Sequence, residues 1–558
     1  MSQKSGSRIF AEFLAESGVT HVFFLPAIML KGLAEMEDLG IRRVMVHGEK
    51  AAAYMADGYA RASGRPGICL AQYIGASNLA AGLRDARLAN SPVIAITGGP
   101  TPISRYRHAY QEIEDFSQFD VVTKFNARVD DARRLPDLLR QAFREATSGC
   151  PGPAHLQIAG PHGQVAEGMT DFDTILEKRF ARVPAFRPEP EAQAVSEAVK
   201  LLVSASRPMI VAGGGVILSG AQAELVALAE ALGIPVATSM NAKSAIPDGH
   251  PLSAGVVGTY SRASANKAVA GADLVLFVGS HTGGQVTHNW QLPPRGTRVI
   301  QIDIDPIELG RNYPNTVSIA GDAKITLLRL LDATRSSRAV ERGEWIAQVQ
   351  EHVAVWRNEM EPLRSSSAIP MRPERICRAI TETLPLDGIV VTDTGHSGIW
   401  SSTMIDLKQG QGFIRCAGSM GWGFPGALGV KCAVPDRPVL CWSGDGAFYY
   451  HIGELETAAR YGINVVTVVN NNSTLNQEIP LFDKAYGGVQ RGRSDEMWRH
   501  SDINFAKVAE SFGCVGMRIE DPKDLNEALR KAFSLNKPVV IDAVSDERAF
   551  AAEPWVPS

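Results

Sequence analysis

The chain has 558 residues, 45% hydrophobic and 21% charged, a balance typical of a globular protein. This length exceeds what one hydrophobic core normally serves and predicts three domains of ordinary size. A net charge of −4 and a pI near 6.3 argue against binding to nucleic acid or to an anionic membrane, and no apolar run is long enough for a membrane span.

The first predicted domain, residues 1–180, begins with a polar lead and an amphipathic helix rather than a signal peptide. Short apolar strands at 67–71, 93–97 and 154–158 then alternate with helices, which predicts a parallel sheet covered by helices. The seven cysteines of the whole chain are scattered without zinc or redox spacing. They predict reduced thiols in a cytoplasmic protein.

Glu49 stands at a predicted junction between a strand and a helix. It follows the apolar stretch 44–46 and begins a helix that contains Ala52, Met55 and Tyr59. A glutamate at this position either complements the positive end of the helix dipole or belongs to a site at the strand end. The local residues alone leave both interpretations open.

The rest of the chain repeats the alternation of strands and helices. A polar stretch with several prolines, 166–190, predicts a linker to a second domain, 191–340, in which Gly213 to Gly215 are a weak nucleotide-binding signal. A charged helical stretch, 336–365, then leads to a third domain, 370–558. The predicted fold class is α/β, with three parallel-sheet domains.

The run 439–474 carries the most informative pattern of the chain. An apolar strand ends in Gly444-Asp445-Gly446, and an amphipathic helix with Ile452, Leu455 and Ala459 on one face leads to a second strand, 465–469. A run of three asparagines follows that strand. The two strands of such a unit bring their carboxyl ends to the same edge of the sheet.

Oxygen ligands therefore meet at this edge. Asp445 supplies a carboxylate, Asn472 an amide oxygen and Thr474 a backbone carbonyl, a donor set that suits Mg²⁺. Gly444 and Gly446 allow close approach of a phosphate, and the helix start favours negative charge. A simple turn followed by a strand stop is the alternative, but the combined spacing favours a site for Mg²⁺ and a diphosphate.

This run resembles the diphosphate-binding motif of thiamine-diphosphate (ThDP) enzymes, which reads Gly-Asp-Gly, a spacer and Asn-Asn. From about residue 9 to about residue 544, the chain resembles the acetolactate synthase-like superfamily of 2-oxo-acid decarboxylases and carboligases. The resemblance implies that the three domains are a pyrimidine-binding domain, a central Rossmann-like domain and a diphosphate-binding domain.

The resemblance also implies a role for Glu49. The pattern Glu-x5-Met-Ala-(Asp/Glu)-Gly-Tyr-Ala-Arg is similar to the junction that carries the family's catalytic glutamate, although the usual His-Glu reads His47-Gly48-Glu49 here. That glutamate binds N1′ of the cofactor's aminopyrimidine and stabilises the imino tautomer, which removes the thiazolium C2 proton.

Further cofactor contacts follow from the same resemblance. Met420 takes the position of the bulky side chain that keeps the cofactor bent, and Gly418 offers its carbonyl to the aminopyrimidine. The complete set of implied cofactor residues besides Glu49 is Gly395, His396, Ser397, Gly418, Met420, Gly444, Asp445, Gly446, Ala447 and Asn472. The implied metal ligands are Asp445, Asn472 and Thr474.

The stretches expected to line the substrate depart from the family pattern. Residues 23–27 lack two glycines of the family's Phe-Gly-x-Pro-Gly, and Tyr73 and Ile74 replace smaller residues of its Gly-Pro-Gly. These changes leave pyruvate unassigned as the substrate. The candidate substrate residues are Pro26, Ala27, Tyr73, Ile74, Gln111 and Leu475.

The resemblance favours a ThDP- and Mg²⁺-dependent enzyme that acts on 2-oxo acids, first an acetolactate synthase-like carboligase. The alternatives are a 2-hydroxyacyl-CoA lyase or oxalyl-CoA decarboxylase type of lyase, a simple 2-oxo-acid decarboxylase, and a catalytically silent homologue. The tail 545–558 has one arginine and three acidic residues, which disfavours a CoA site.

Two further expectations concern FAD and assembly. Acetolactate synthases hold FAD partly through an arginine-containing loop, whereas the matching loop here, 279–285, has no arginine, so an empty or vestigial nucleotide site is favoured over FAD. In this family the cofactor bridges domains of two subunits. We therefore expect a homodimer or homotetramer with active sites shared between subunits.

Overall fold

Three six-stranded parallel sheets organise the computed structural model, which describes residues 3–170, 175–335 and 339–557. Each sheet is covered by helices, so the predicted α/β class with three parallel-sheet units is confirmed. Among the described residues, none of the helices combines the length and the apolarity that a bilayer crossing needs.

The first unit has the strand order β3-β2-β4-β5-β7-β6, and a short antiparallel pair, β1 and β8, lies beside it. Its central strands β4, β5 and β7 are buried along their whole length and mainly apolar, as expected for a parallel sheet with both faces covered. Its strands are β1 (Lys4–Ser5), β2 (His21–Phe24), β3 (Arg42–Met45), β4 (Gly67–Ala71), β5 (Val93–Gly99), β6 (Phe125–Val129), β7 (Ala154–Ala159) and β8 (Met169–Thr170). Its helices are α1 (Gly6–Glu16), α2 (Leu30–Glu35), α3 (Glu49–Ser63), α4 (Ala76–Leu88) and α5 (Leu135–Thr147).

The central unit has the order β11-β10-β9-β12-β13-β14, which is the 3-2-1-4-5-6 order of a Rossmann sheet. Its strands are β9 (Pro208–Ala212), β10 (Val236–Thr238), β11 (Ser253–Val256), β12 (Leu274–Val278), β13 (Arg298–Asp303) and β14 (Val317–Ala320). Its helices are α6 (Ala192–Ser204), α7 (Gly214–Ser219), α8 (Gln222–Leu232), α9 (Ala263–Ala270) and α10 (Ala323–Thr334).

Helix α11 (Gly343–Arg364) leads to the third unit, whose order is β16-β15-β17-β18-β20-β19. Counted from the first parallel strand of each sheet, the first and third units share the order 2-1-3-4-6-5. The strands of the third unit are β15 (Ile389–Thr392), β16 (Gly412–Arg415), β17 (Val439–Gly444), β18 (Val466–Asn471), β19 (Val515–Ile519) and β20 (Val539–Val544). Its helices are α12 (Pro373–Thr383), α13 (His396–Met404), α14 (Gly423–Ala433), α15 (Asp445–Phe448), α16 (Glu454–Tyr461), α17 (Ile479–Ala485), α18 (Phe505–Ser511) and α19 (Leu525–Ser534).

Two predicted segments differ in detail. The single helix expected after Gly446 is divided into α15 and α16 by a 3₁₀ turn, and Leu455 is buried while Ala459 is only partly covered. The predicted linker packs against the first unit, where Phe180 enters the core and the Val183 N–H bonds Gly64. Residues 171–174 of that linker, and 336–338 of the predicted helical stretch, lie outside the described residues.

The first and third units meet through helices α3 and α14, which touch backbone to backbone. A Cβ at Gly58 would overlap the carbonyl oxygen of Gly426, and a Cβ at Gly429 would overlap that of Met55. One continuous core cluster runs across this contact and contains side chains of both units. Glycine is therefore required on both helices for this approach.

We expect Gly58→Ala to destabilise the chain, because the added methyl group meets a fixed backbone oxygen rather than a flexible side chain. Overpacking of this kind costs about 1–3 kcal/mol, which exceeds the gain in helix propensity. The melting temperature, followed by circular dichroism, should fall by several degrees. Gly343→Ala at the start of α11 is the matched control, since nothing lies within 4 Å of its added Cβ. Equal melting temperatures for both variants would contradict the close contact.

Candidate cofactor-binding site

The predicted cofactor residues of the third unit lie at one edge of its sheet. Strands β16, β15, β17 and β18 are consecutive neighbours, and all four are parallel. The segments at their carboxyl ends are 393–397, 416–422, 444–447 and 472–475, each made of the strand end, the following loop or the start of the next helix. Every third-unit residue predicted to bind cofactor, metal or substrate lies on one of these segments, in the position where α/β sheets bind ligands.

Close contacts join these loops to one another. A Cβ at Gly444 would lie 3.1 Å from Ser397 Oγ, and one at Gly446 would lie 2.5 Å from the Leu475 side chain. Gly395 has a φ of 65° and is the N-cap residue directly before helix α13. Since added side chains would fill this space, the glycines keep the edge open for a group that approaches the backbone.

His396 and Ser397 begin helix α13 and are held by the third unit. His396 Nδ1 lies 2.8 Å from Asn476 Oδ1, and burial lowers the pKa of His396. The buried Ser397 accepts the indole N–H of Trp442 at its carbonyl oxygen, 3.0 Å away. Its hydroxyl faces Gly444, so the two strand ends share one surface.

Asp445 is the acidic centre of this edge and is only 3% exposed. Its two carboxylate oxygens accept the N–H groups of Gly446, at 2.7 Å, and of Asn472, at 3.1 Å. Burial raises the pKa of Asp445 to about 7, although the backbone N–H groups around it oppose the shift. A cation beside this carboxylate would stabilise its charged form.

The donor set fits Mg²⁺. The amide oxygen of Asn472 accepts the N–H and the hydroxyl of Thr474, each at 3.0 Å, so Asp445, Asn472 and Thr474 form one compact group. Among the described residues, no group of three or more histidines, cysteines or acidic residues is placed so that it could hold a metal ion. One carboxylate with neutral oxygens suits a Mg²⁺ ion that takes its remaining ligands from phosphate and water.

Glu49 begins helix α3 of the first unit and is half-buried. Its Oε2 accepts the side-chain N–H of Asn78 at 3.2 Å, and Gly75 lies so close that a Cβ there would overlap Oε1. The sequence interpretation missed both neighbours, although Gly75 directly follows Tyr73 and Ile74, which it marked as candidate substrate residues. Glycine at 75 leaves room for the glutamate.

The first-unit stretches marked as substrate-facing come together. The Ala27 carbonyl oxygen accepts a hydrogen bond from the Nδ1–H of His162 at 2.7 Å. The Ala27 N–H donates to Gln72 Oε1 at 3.5 Å. Tyr73 is 1% exposed and donates its hydroxyl to the carbonyl of Ile113 at 2.5 Å. Tyr73 thus holds the loop that carries Gln111, instead of presenting its ring to solvent.

Ile74, the neighbour of Tyr73, is 49% exposed. Pro26 and Ala27 lie at the start of the loop after β2. Gln111 has a φ of 66° in the loop after β5.

The contacts of Glu49 come from the first unit and those of Asp445 from the third unit, within the described part of the chain. Glu49 and Asp445 make no direct contact in that part.

A network of buried charges near the loop 416–422 was also missed. Asp57 and Arg61 were part of the motif around Glu49, but no local signal linked them to Asp85 or to Trp422. Arg61 bonds both Asp57 and Asp85, and Asp57 accepts the indole N–H of Trp422 at 2.9 Å. These residues connect α3 and α4 to the loop that carries Gly418 and Met420.

The central unit has a cleft of about 290 Å³ at the carboxyl ends of β9, β12 and β13. Gly213 and Gly215 pack directly against the backbone of Gly279, which explains these glycines without a phosphate. Asp303 ends β13 and lines the cleft, where burial raises its pKa. The loop that follows Gly279 supplies no arginine.

Three family models match the chain. They are described as the N-terminal TPP binding domain, the central domain and the C-terminal TPP binding domain of thiamine pyrophosphate enzymes, and they match residues 4–119, 195–330 and 393–543. The matched ranges contain Glu49, the Rossmann sheet and the strand-end loops of the third unit, respectively.

Similar proteins include three acetolactate synthase large subunits. The probable large subunit of Methanocaldococcus jannaschii is 33% identical, and the alignment covers 99% of this chain and 93% of that protein. The probable large subunit of Methanococcus aeolicus is 34% identical, with coverage of 90% and 85%. The large subunit of Haemophilus influenzae is 30% identical, with coverage of 98% and 95%.

We expect Asp445→Asn to weaken Mg²⁺-dependent binding of ThDP by about tenfold or more, because the change keeps the shape but removes the carboxylate. Calorimetric titration with ThDP, with and without Mg²⁺, measures the effect. Asp387→Asn is the control, since this exposed residue lies before β15, at the opposite edge of the same sheet. Unchanged binding by the Asp445 variant would show that the cation lies elsewhere.

Proposed function

Because the chain belongs to the thiamine-diphosphate-dependent enzymes of the acetolactate synthase-like family, we propose that it is a Mg²⁺-dependent carboligase that joins two 2-oxo-acid-derived units. The observation that carries the proposal is the 33% identity to a probable acetolactate synthase large subunit across 99% of this chain. The strand-end cluster of the third unit supplies the chemistry that such an enzyme needs.

The residues fit the cofactor in two groups. Asp445, Asn472 and Thr474 would hold Mg²⁺ and through it the diphosphate, while the open glycine edge at 444–446 would take the phosphate oxygens. Glu49 would bind the aminopyrimidine from the first unit. When bound, ThDP supplies the carbanion chemistry by which a 2-oxo acid loses CO₂ and the remaining unit joins a second carbonyl.

The protein's own contribution is to orient groups and to control a proton. Glu49 would hold a proton at pyrimidine N1′ and so set the basicity of the adjacent amine. Met420 would support the bent shape of the cofactor from the loop after β16, and the Gly418 carbonyl would accept from the amine. The half-buried position of Glu49 limits competition from water for its hydrogen bonds.

We expect CO₂ release from at least one 2-oxo acid when the protein is supplied with ThDP and Mg²⁺, and an acyloin product such as acetolactate from pyruvate. A panel of 2-oxo acids with products identified by mass spectrometry tests this. An aldehyde as the only product would indicate a simple decarboxylase. Turnover of 2-hydroxyacyl-CoA or oxalyl-CoA instead would indicate the lyase alternative, and no turnover of any substrate would indicate a silent homologue.

The panel is run with and without FAD, because the central unit has Rossmann order but its 279–285 loop supplies no arginine. Activity that is independent of FAD agrees with the expected empty or vestigial site.

We also infer a cytoplasmic location from the cysteines, which are all free thiols, six of them buried.

We infer further that the active site is shared between two copies of the chain, in a homodimer or homotetramer. Glu49 and Asp445 make their contacts in different units, and the first unit exposes a group of large apolar side chains near its substrate-facing loops. Large exposed apolar side chains concentrated in one segment, residues 103–121, are typical of an interaction surface. Its members are Ile103, Tyr106, Tyr110, Ile113 and Val121, which are 80%, 73%, 80%, 51% and 80% exposed.

Co-expression of a Glu49→Gln chain with an Asp445→Asn chain tests the shared site. Each variant alone is expected to be inactive, whereas random pairing makes half of the dimers mixed, with one complete site of two, and restores about a quarter of wild-type activity. A chain with both substitutions, co-expressed with either single variant, is the control and should restore none. Mixed dimers without activity would place each site within a single chain.

A further inference from the structure

The loop 416–422 carries Gly418 and Met420 and is bonded by a buried side chain of another unit. Asp85, on helix α4 of the first unit, has no exposed surface. Its Oδ1 accepts the N–H of Ala417 at 2.8 Å, and its Oδ2 accepts those of Gly418 at 3.0 Å and Ser419 at 2.9 Å. Three consecutive N–H groups of the third unit thus converge on one carboxylate of the first unit.

Arg61 completes this arrangement. It donates to Asp85 Oδ1 at 2.9 Å and to both oxygens of Asp57, at 2.8 and 2.6 Å. It also donates to the carbonyl of Arg415, at 2.5 Å, just before the loop begins. A buried carboxylate needs such a partner, because an unpaired buried charge is strongly destabilising.

A second buried carboxylate holds the other side of the same loop. Asp393, at the end of β15, is 1% exposed and accepts the N–H of Gly421 at 3.1 Å and that of Gly423 at 2.6 Å. Met420 therefore lies between two anchored segments. Asp393 sets its position relative to the third unit, and Asp85 sets its position relative to the first.

We propose that Asp85 is a positioning residue for the cofactor, which acts by fixing the loop that presents the Gly418 carbonyl and the Met420 side chain. The inference rests on the proposed function, since it assumes that these two residues face ThDP. It adds that a side chain of the first unit determines how the third unit of the same chain presents them.

The chemistry requires a carboxylate at this position. Both oxygens of Asp85 are in use, because one takes an N–H group together with Arg61 and the other takes two N–H groups. An asparagine has one acceptor oxygen, and its NH₂ group would face N–H donors instead. Asp85→Asn therefore preserves the volume while it removes about half of the loop's anchors.

Asp248→Asn is a matched comparison. Asp248 belongs to the central unit, is also buried, pairs with Arg262 at 2.8 Å and accepts the N–H of Leu407 in the third unit at 2.7 Å, but it bonds no group of residues 416–422. A purely structural role for Asp85 predicts that both variants lose stability and nothing else. A positioning role predicts a difference that appears at the cofactor.

The experiment compares the wild-type chain with both variants by melting temperature, by affinity for ThDP in the presence of Mg²⁺, by near-ultraviolet circular dichroism of bound ThDP, and by kcat at saturating ThDP. We expect both variants to lose stability. Only Asp85→Asn should alter the dichroism of the bound cofactor and lower kcat, by about 10- to 100-fold, because a small misplacement is enough for such a loss. Equal dichroism and kcat for the two variants would overturn the proposal.

Amide hydrogen exchange of residues 417–419 gives a readout that needs neither a folded variant nor turnover. These amides should be protected in the wild-type chain without cofactor, because their acceptor is a protein side chain. Exchange as fast as in exposed loops would overturn the proposal even if Asp85→Asn fails to fold. A wild-type chain that protects these amides yet binds no ThDP would instead refute the proposed function.

Discussion

The arrangement of this molecule depends on the backbone contact between α3 and α14. Gly58 on α3 lies against the carbonyl oxygen of Gly426, and Gly429 on α14 lies against that of Met55. Both contacts are closer than a residue with a Cβ atom would permit. Helix α3 begins at Glu49, and α14 begins directly after the loop 416–422. The contact therefore fixes the start of the helix that carries the proposed catalytic acid against the start of the helix that follows the cofactor loop. A small shift in this helix packing would therefore displace both Glu49 and the loop 416–422.

The outer units use the same sheet order for different chemical tasks. In each sheet the contact helix connects the second and the third strand, so α3 and α14 occupy equivalent places. The first unit contributes an acid at the start of its contact helix, whereas the third unit contributes the oxygen ligands at its strand ends. An equal strand order constrains the apolar pattern and the connections but not the identities of residues, so the two units can carry different site residues on the same frame.

Local patterns explain which features were predictable. The strands at 67–71, 93–99 and 439–444, the start of α3 and the meeting of Asp445 with Asn472 all follow from short-range periodicity and from the rule for parallel strand ends. The third-unit partners of Asp85 were not predictable, since these three backbone donors lie more than 330 positions away and are groups that any residue carries. The break between α15 and α16, and the packing of Gly213 and Gly215 on Gly279, likewise depend on distant contacts.

Side chains of all three units hold the loop 416–422, which we call the cofactor loop, and the residue before it, Arg415. The stretches that depart from the family pattern lie outside this loop. Arg415 donates to Gln285 of the central unit at 2.7 Å and to the carbonyl of Ala417 at 3.1 Å, while Asp85 holds the loop from the first unit. A change within this loop must keep hydrogen bonds to partners in three units. The side-chain hydrogen bonds of Tyr73, beside Ile74, and those of Ala27 stay within the first unit. Under the proposed function, side-chain changes at Ala27 and Ile74 would alter the substrate-facing surface and leave the hydrogen bonds that hold the loop 416–422 in place.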